Sequence, residues 1–178
     1  MAFEGTRTLR GALAGATAAA VWAAQQPLDK RVFGVDYDDP ELLGRLARLR
    51  GPAARPAGLA LHLANGAVFG AVYANVAPSL PGPPALRGAA AGLVEHLATW
   101  PATIVVDRLD LAGRGFPKLW GDPRAFAQAS WRHLLFGTIL GELERRLNPP
   151  ETEPEPVSAV SVASNGHGSA EHLVASAR

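Results

Sequence analysis

The chain has 178 residues, a formal net charge of +1, 48% hydrophobic and 19% charged residues, and no cysteine. That length makes one domain. The near-neutral charge, with no aromatic residues interleaved among basic ones, offers nucleic acid neither a field nor a stacking platform, and the lack of cysteine excludes a disulfide framework, a thiolate metal site and a thiol nucleophile.

A mean hydropathy of +0.06 is low for a membrane protein, but the average hides segregated charge. Arg10 to Asp29 is free of charge between its ends, Arg55 to Arg87 likewise, and only Glu95 interrupts Arg87 to Asp107. The first apolar run, Gly11 to Ala24 behind Arg7 and Arg10 with Val21 and Ala23 placed for cleavage, resembles a secretory signal peptide. Its only large aliphatics are Leu13 and Val21, however, and it shares its glycine spacing with later segments, so a retained helix over about 9–25 is expected. In the connector that follows, Asp39 can cap a short helix with Pro40 at its first position. Leu42, Leu43, Leu46 and Leu49 then share a stripe, with Arg45, Arg48 and Arg50 on other faces. That pattern suits an amphipathic helix at a membrane surface and, equally, a surface helix on a soluble core.

Helix 2 is expected over about 57–76 and helix 3 over about 86–106, joined by the proline-rich Ala77 to Pro84, a tight turn because proline lacks the helical donor. Trp100-Pro101 should kink helix 3, freeing a carbonyl near Leu97 and opening space beside His96. The connector from Asp107 ends in Asp122-Pro123, which opens helix 4 over about 123–143. These spans approach the roughly 20 residues that a bilayer requires, helices 1 and 4 only marginally. Residues 148–178, rich in Glu, Pro, Ser, Ala and Gly, lack the apolar area to offset ordering entropy. A disordered tail is expected there, with His167 and His172 incidental, behind a membrane domain over 1–147.

Each apolar stretch carries one Gly-x-x-x-Gly: Gly11/Gly15, Gly66/Gly70, Gly88/Gly92 and Gly137/Gly141. Such pairs strip a helix face so that another backbone can approach closely, as helices do in lipid. Gly11-Ala-Leu-Ala-Gly15 also matches Gly88-Ala-Ala-Ala-Gly92. Each is followed by a tryptophan, a polar connector holding Asp-Pro, and a helix with a later glycine pair. The expected fold is therefore all-α: a four-transmembrane-helix bundle, duplicated from one helix-connector-helix unit, with the two copies in the same orientation.

The same glycines act as a ruler for histidine. Helices 2 and 4 read His62-x-x-x-Gly66-x-x-x-Gly70 and His133-x-x-x-Gly137-x-x-x-Gly141, whereas helix 3 reads Gly88-x-x-x-Gly92-x-x-x-His96. Because helix 3 runs antiparallel to its neighbours, the reversed order puts all three imidazoles at one depth, each about 9 Å from the middle of its glycine pair. Positions four apart drift only about 40° around a helix, so each histidine faces other helices. Glu95 adds a carboxylate beside His96, although it points about 100° away. Ionisable groups at membrane depth mark proton relays, pathways or binding sites. Three readings of His62, His96, His133 and Glu95 are open: proton sensing, relay or small-ion passage; interhelical hydrogen bonds in a structural or partner-binding protein; and a metal or haem site on the three histidines. No other cofactor is expected. Asn65 and Asn75 read as interhelical glue, and Trp22, Trp100 and Trp131 as interface anchors or packing. Without His-Glu-x-x-His, Gly-x-Ser-x-Gly or a phosphate-binding Gly-Lys-Ser/Thr loop, nothing supports an enzyme.

His62-Leu-Ala-Asn-Gly-Ala-Val-Phe-Gly-Ala-Val-Tyr73, Gly88-Ala-Ala-Ala-Gly92 with His96 and Trp100-Pro101, and His133 leading to Gly-Glu-Leu-Glu-Arg-Arg-Leu147 together resemble the YagU-like family of bacterial inner-membrane proteins. The resemblance covers about residues 8–147. It implies a multi-pass inner-membrane protein of poorly defined biochemistry, loosely linked to acid tolerance, with His62, His96 and His133 matching histidines of that family's helices. The connectors differ in length and sequence, so no function seated in the first of them carries over. The partners expected are the lipid bilayer and a second copy of the chain, but no nucleic acid. Orientation stays open: Lys30, Arg31, Arg45, Arg48, Arg50, Arg55, Arg108, Arg114, Lys118, Arg124 and Arg132 outnumber Arg7, Arg10, Arg87, Arg145 and Arg146 opposite, but over much longer segments.

Overall fold

The computed structural model describes residues 4–49 and 51–149. They form six α-helices: α1 (Gly5–Phe33), α2 (Asp39–Leu46), α3 (Ala54–Val76), α4 (Pro84–Thr99), α5 (Ala102–Arg108) and α6 (Pro123–Leu147). The expected tail, from Pro150 onward, lies outside the described residues. Asn148, placed in that tail by the sequence reading, is buried instead and donates to the Glu144 carboxylate at 3.3 Å and to Arg7 O at 3.4 Å.

α1 is the main correction to the expected boundaries. It continues through Pro27 for two further turns beyond Gln25 and stops at Gly34, whose φ of 70° fits glycine and whose N–H donates to Lys30 O at 2.9 Å. The Asp-Pro signals mark helix starts with a shift of one residue at α2. Asp38, not Asp39, caps that helix by accepting from Glu41 N at 3.1 Å. Asp122 caps α6 as expected, accepting from Arg124 N at 2.8 Å. Helix 3 breaks at Trp100-Pro101 into α4 and α5, bent by 41°.

The glycine pairs meet each other. α1 packs antiparallel on α3 with Gly11 against Gly70 and Gly15 against Gly66, and α4 packs antiparallel on α6 with Gly88 against Gly137 and Gly141. A Cβ added at any of these positions would run into the facing backbone. The α1–α3 hairpin then joins the α4–α6 hairpin through α1 and α6. A third glycine crossing, Gly44 on Gly58, seats α2 on the start of α3. Both long connectors lie at the end of the bundle where α1 finishes and α6 begins, tied together by Arg45, which donates to Ala112 O at 2.8 Å and Arg114 O at 3.1 Å. At the opposite end Arg7 pairs with buried Glu144 at 2.9 Å, and Asn75 donates to Thr8 Oγ1 at 2.9 Å, in the interhelical role expected of it.

Around an apolar core of Trp22, Tyr73, Phe136 and Leu140, the bundle buries polar groups and leaves large aliphatics exposed. The interior holds Ala14, Ala18 and Ala19 together with Gln26, Asp29, Gln128, Arg132 and Glu144, while Leu9, Val32, Val68, Leu86 and Val94 face outward, each more than 60% exposed. By length and composition, Gly51–Ser79, which contains α3, is apolar enough to cross a membrane, and the bent α4–α5 pair passes the same test when its two helices are taken together, as a broken span or a re-entrant loop. α1 and α6 are not among the spans by that test. Their small and polar residues lower the mean hydropathy, although Gln26, Asp29, Gln128, Arg132 and Glu144 among them are buried.

A candidate site cavity between the helix hairpins

The tight crossings hold the hairpins close at the glycines, and the bend at Trp100-Pro101 turns α5 aside. Between them lies a cavity of about 370 Å³, roofed by Leu42, Leu43 and Leu46 of α2, the same leucine stripe that the sequence assigned to a membrane surface or a soluble core. His62, His96, His133 and Glu95 all line it.

The histidines do not form one cluster; they form a chain. Trp22 stands between His62 and His133, edge-on to both, with ring centroids 5.1 and 4.6 Å away, and the His96 ring lies 4.7 Å from that of His133. Trp22 is thus buried in the site rather than anchored at an interface, its Nε1 donating to Asp39 Oδ2 at 3.0 Å. Among the described residues no group of three His, Asp or Glu side chains is spaced to hold a metal ion.

Hydrogen bonding assigns the imidazole protons. A carbonyl can only accept. His62 Nε2, 3.1 Å from Ala19 O across the α1–α3 contact, must therefore donate. Ser130 gives its hydroxyl proton to Phe126 O at 2.8 Å, so its oxygen accepts from His96 Nε2 at 3.0 Å. His133 Nδ1 lies 2.7 Å from Ala129 O and must also donate. Its Nε2, however, lies 2.8 Å from Glu95 Oε2. With Nδ1 protonated, that second contact needs another proton, carried either by Nε2 or by the carboxyl. The His133–Glu95 contact is thus of a kind that one proton lying between the two groups would bridge. The hydrogen-bonding partner of Glu95 is His133 of α6, and both Glu95 and His96 line the cavity.

A second group of site residues escaped the sequence reading. Arg132, fully buried, donates Nε to Asp29 Oδ2 at 2.7 Å, Nη2 to Asp29 Oδ1 at 2.6 Å and Nη1 to Asp39 Oδ2 at 2.6 Å. Gln26 donates to the same Asp39 oxygen at 2.7 Å, and Gln128 to Asp29 Oδ1 at 2.7 Å. The Arg132 guanidinium also lies over the Tyr37 ring, 4.3 Å from its centroid. Burial first, and then the Asp39 charge, push the Tyr37 hydroxyl well above its usual 10, against the opposing pull of Arg132. Counting Arg132 among the connector cations was thus a misreading, since its charge is neutralised inside the bundle. A signal was present: Gly11, Gly15, Trp22, Gln26 and Asp29 share one helical face, as do Gln128, Arg132, Phe136 and Leu140. Ending the first helix at Gln25 cut that face short.

Comparison with family models, curated protein sequences and solved structures finds no match to the chain.

Proposed function

We propose that the chain is a multi-pass membrane protein, two copies of one helix-connector-helix unit, whose His133–Glu95 pair stores and relays a proton inside the bundle. The membrane reading rests on the exposed aliphatic side chains and the buried charges. In water, exposing Leu9, Val32, Val68, Leu86 and Val94 while burying Arg132, Asp29 and Glu144 forfeits apolar transfer energy and adds desolvation. In lipid the same arrangement is the favourable one, because intramembrane charges face the bundle interior and pair there. The glycine-on-glycine crossings of α1 on α3 and α4 on α6, though one turn apart in register, support the duplication, and the resemblance to the YagU-like family supports the bacterial inner membrane. The protein is expected to stay with membranes after alkaline carbonate extraction; release into the supernatant refutes the membrane reading.

The single observation behind the relay is the His133–Glu95 contact that a shared proton would bridge, at a cavity rather than in a dry core. His62 and His96, each with a donor tied to an oxygen, act mainly as interhelical hydrogen bonds. In proteoliposomes loaded with a pH-sensitive dye, Glu95→Gln and His133→Gln should slow acid-driven proton uptake at least about tenfold. His62→Gln and His96→Gln, which can keep their hydrogen bonds, should stay close to the parent. Parental uptake in both Glu95→Gln and His133→Gln sinks the relay.

A further inference from the structure

The cavity is walled by aromatic rings, Trp22, Phe69, Trp100 and Phe136 among them, and its one carboxylate that is not held by arginine is Glu95, partly exposed. Its volume, about 370 Å³, falls in the range of small-molecule pockets. The charged and titratable groups around it come from every packed element. α1 supplies Asp29 and Lys30, the connector Tyr37 and the Asp38 that Lys30 neutralises, and α2 Asp39; α3 supplies His62; α4 supplies Glu95 and His96; α6 supplies Arg132 and His133. Arg132 offsets one of Asp29 and Asp39, so together with Glu95 the fixed charges are net negative. The proton shared by His133 and Glu95 lessens that excess without cancelling it.

We propose that this cavity binds a lipophilic organic cation, an aromatic or quaternary ammonium-type molecule, in exchange for the proton that His133 and Glu95 share. The aromatic walls receive a cation through their ring faces and its hydrocarbon through burial. An anion would face the net negative charge of these carboxylates. The exchange balances: the cation settles against the Glu95 carboxylate, the His133 Nε2–H bond breaks, and the proton leaves to solvent while His133 keeps its Nδ1 proton on Ala129 O. One positive charge enters and one departs. This assignment rests on the shared-proton reading above, and it adds a substrate class to it.

Tetraphenylphosphonium is the probe, titrated into the detergent-solubilised full-length chain by calorimetry and in weakly buffered solution with a pH indicator. Expected results are saturable binding with one proton released per cation, and an apparent affinity that rises about tenfold per pH unit where the pair is protonated. Glu95→Gln should weaken binding at least about tenfold, and Glu95→Asp should retain most of it, which separates a lost charge from a misfolded chain. His133→Gln should still bind but release no proton. Tetraphenylborate, the same shape with opposite charge, should not bind at the site. No phosphonium binding, or equal binding of the borate, overturns the cation assignment while leaving the proton relay to its own flux test. Binding at Glu95 without proton release overturns the exchange and counts against the shared proton itself.

Discussion

Replacing Arg132 with methionine should destabilise the protein by about 3–5 kcal/mol, the usual cost of removing one partner from a buried ion pair. Asp29 and Asp39 would be left 2% exposed and half-buried respectively, with no cation between them. Lysine should rescue little, because a single ammonium cannot reproduce the fork that meets both Asp29 oxygens and Asp39 at once. The informative partner is the triple variant Arg132→Met, Asp29→Asn, Asp39→Asn. By removing all three charges, it should recover much of the loss, since an uncharged replacement of a buried network is often near neutral. Thermal unfolding in detergent, followed by circular dichroism, measures both. A loss under about 1 kcal/mol for Arg132→Met would mean that water reaches the carboxylates and the network is not buried as described.

The second large effect is expected at the helix crossings. Gly137→Ala places a methyl group against Gly88 O, and Gly15→Ala places one against Gly66 O, so the facing backbones must separate. Overpacking of this kind costs about 1–3 kcal/mol. Function discriminates further between the two. Separating α4 from α6 pulls Glu95 away from His133, whereas separating α1 from α3 pulls His62 from Ala19 O. Gly137→Ala should therefore lose proton uptake as well as stability, and Gly15→Ala mainly stability. Gly5→Ala, where nothing lies within 4 Å of an added Cβ, is the control and should change neither. Equal behaviour of Gly137→Ala and Gly5→Ala would refute the close approach of α4 and α6.

Local chemistry made much of the fold legible. Glycine spacing identified the faces that meet, the break at Trp100-Pro101 followed from proline's missing donor, and Asp122-Pro123 announced the start of α6. The same local rules misassigned two residues whose roles depend on distant partners. Asp39 was read as a cap because it precedes Pro40, yet Asp38 caps α2 and Asp39 turns inward to Trp22, Gln26 and Arg132. Asp29 marks the end of a charge-free stretch and falls beyond the expected helix end at Gln25, yet it lies buried within α1, 103 residues in sequence from the arginine that neutralises it.

For the candidate site the division is similar. The histidines' common depth was readable from their spacing to the glycine pairs, since a helix converts residue number into height. Which neighbours they met was not. Rotation about each helix axis and the lateral order of the helices decide that Trp22 separates His62 from His133, and that Glu95 crosses to His133 rather than serving His96. The amino-acid order by itself determined four apolar stretches, their glycine-lined contact faces and the height of three imidazoles along them. Only the tertiary structure decided that Glu95 of α4 meets His133 of α6 and that an arginine with two aspartates lies buried near them. Ion pairs and shared protons depend on distances of a few ångströms between elements, and chain order sets those distances only through packing.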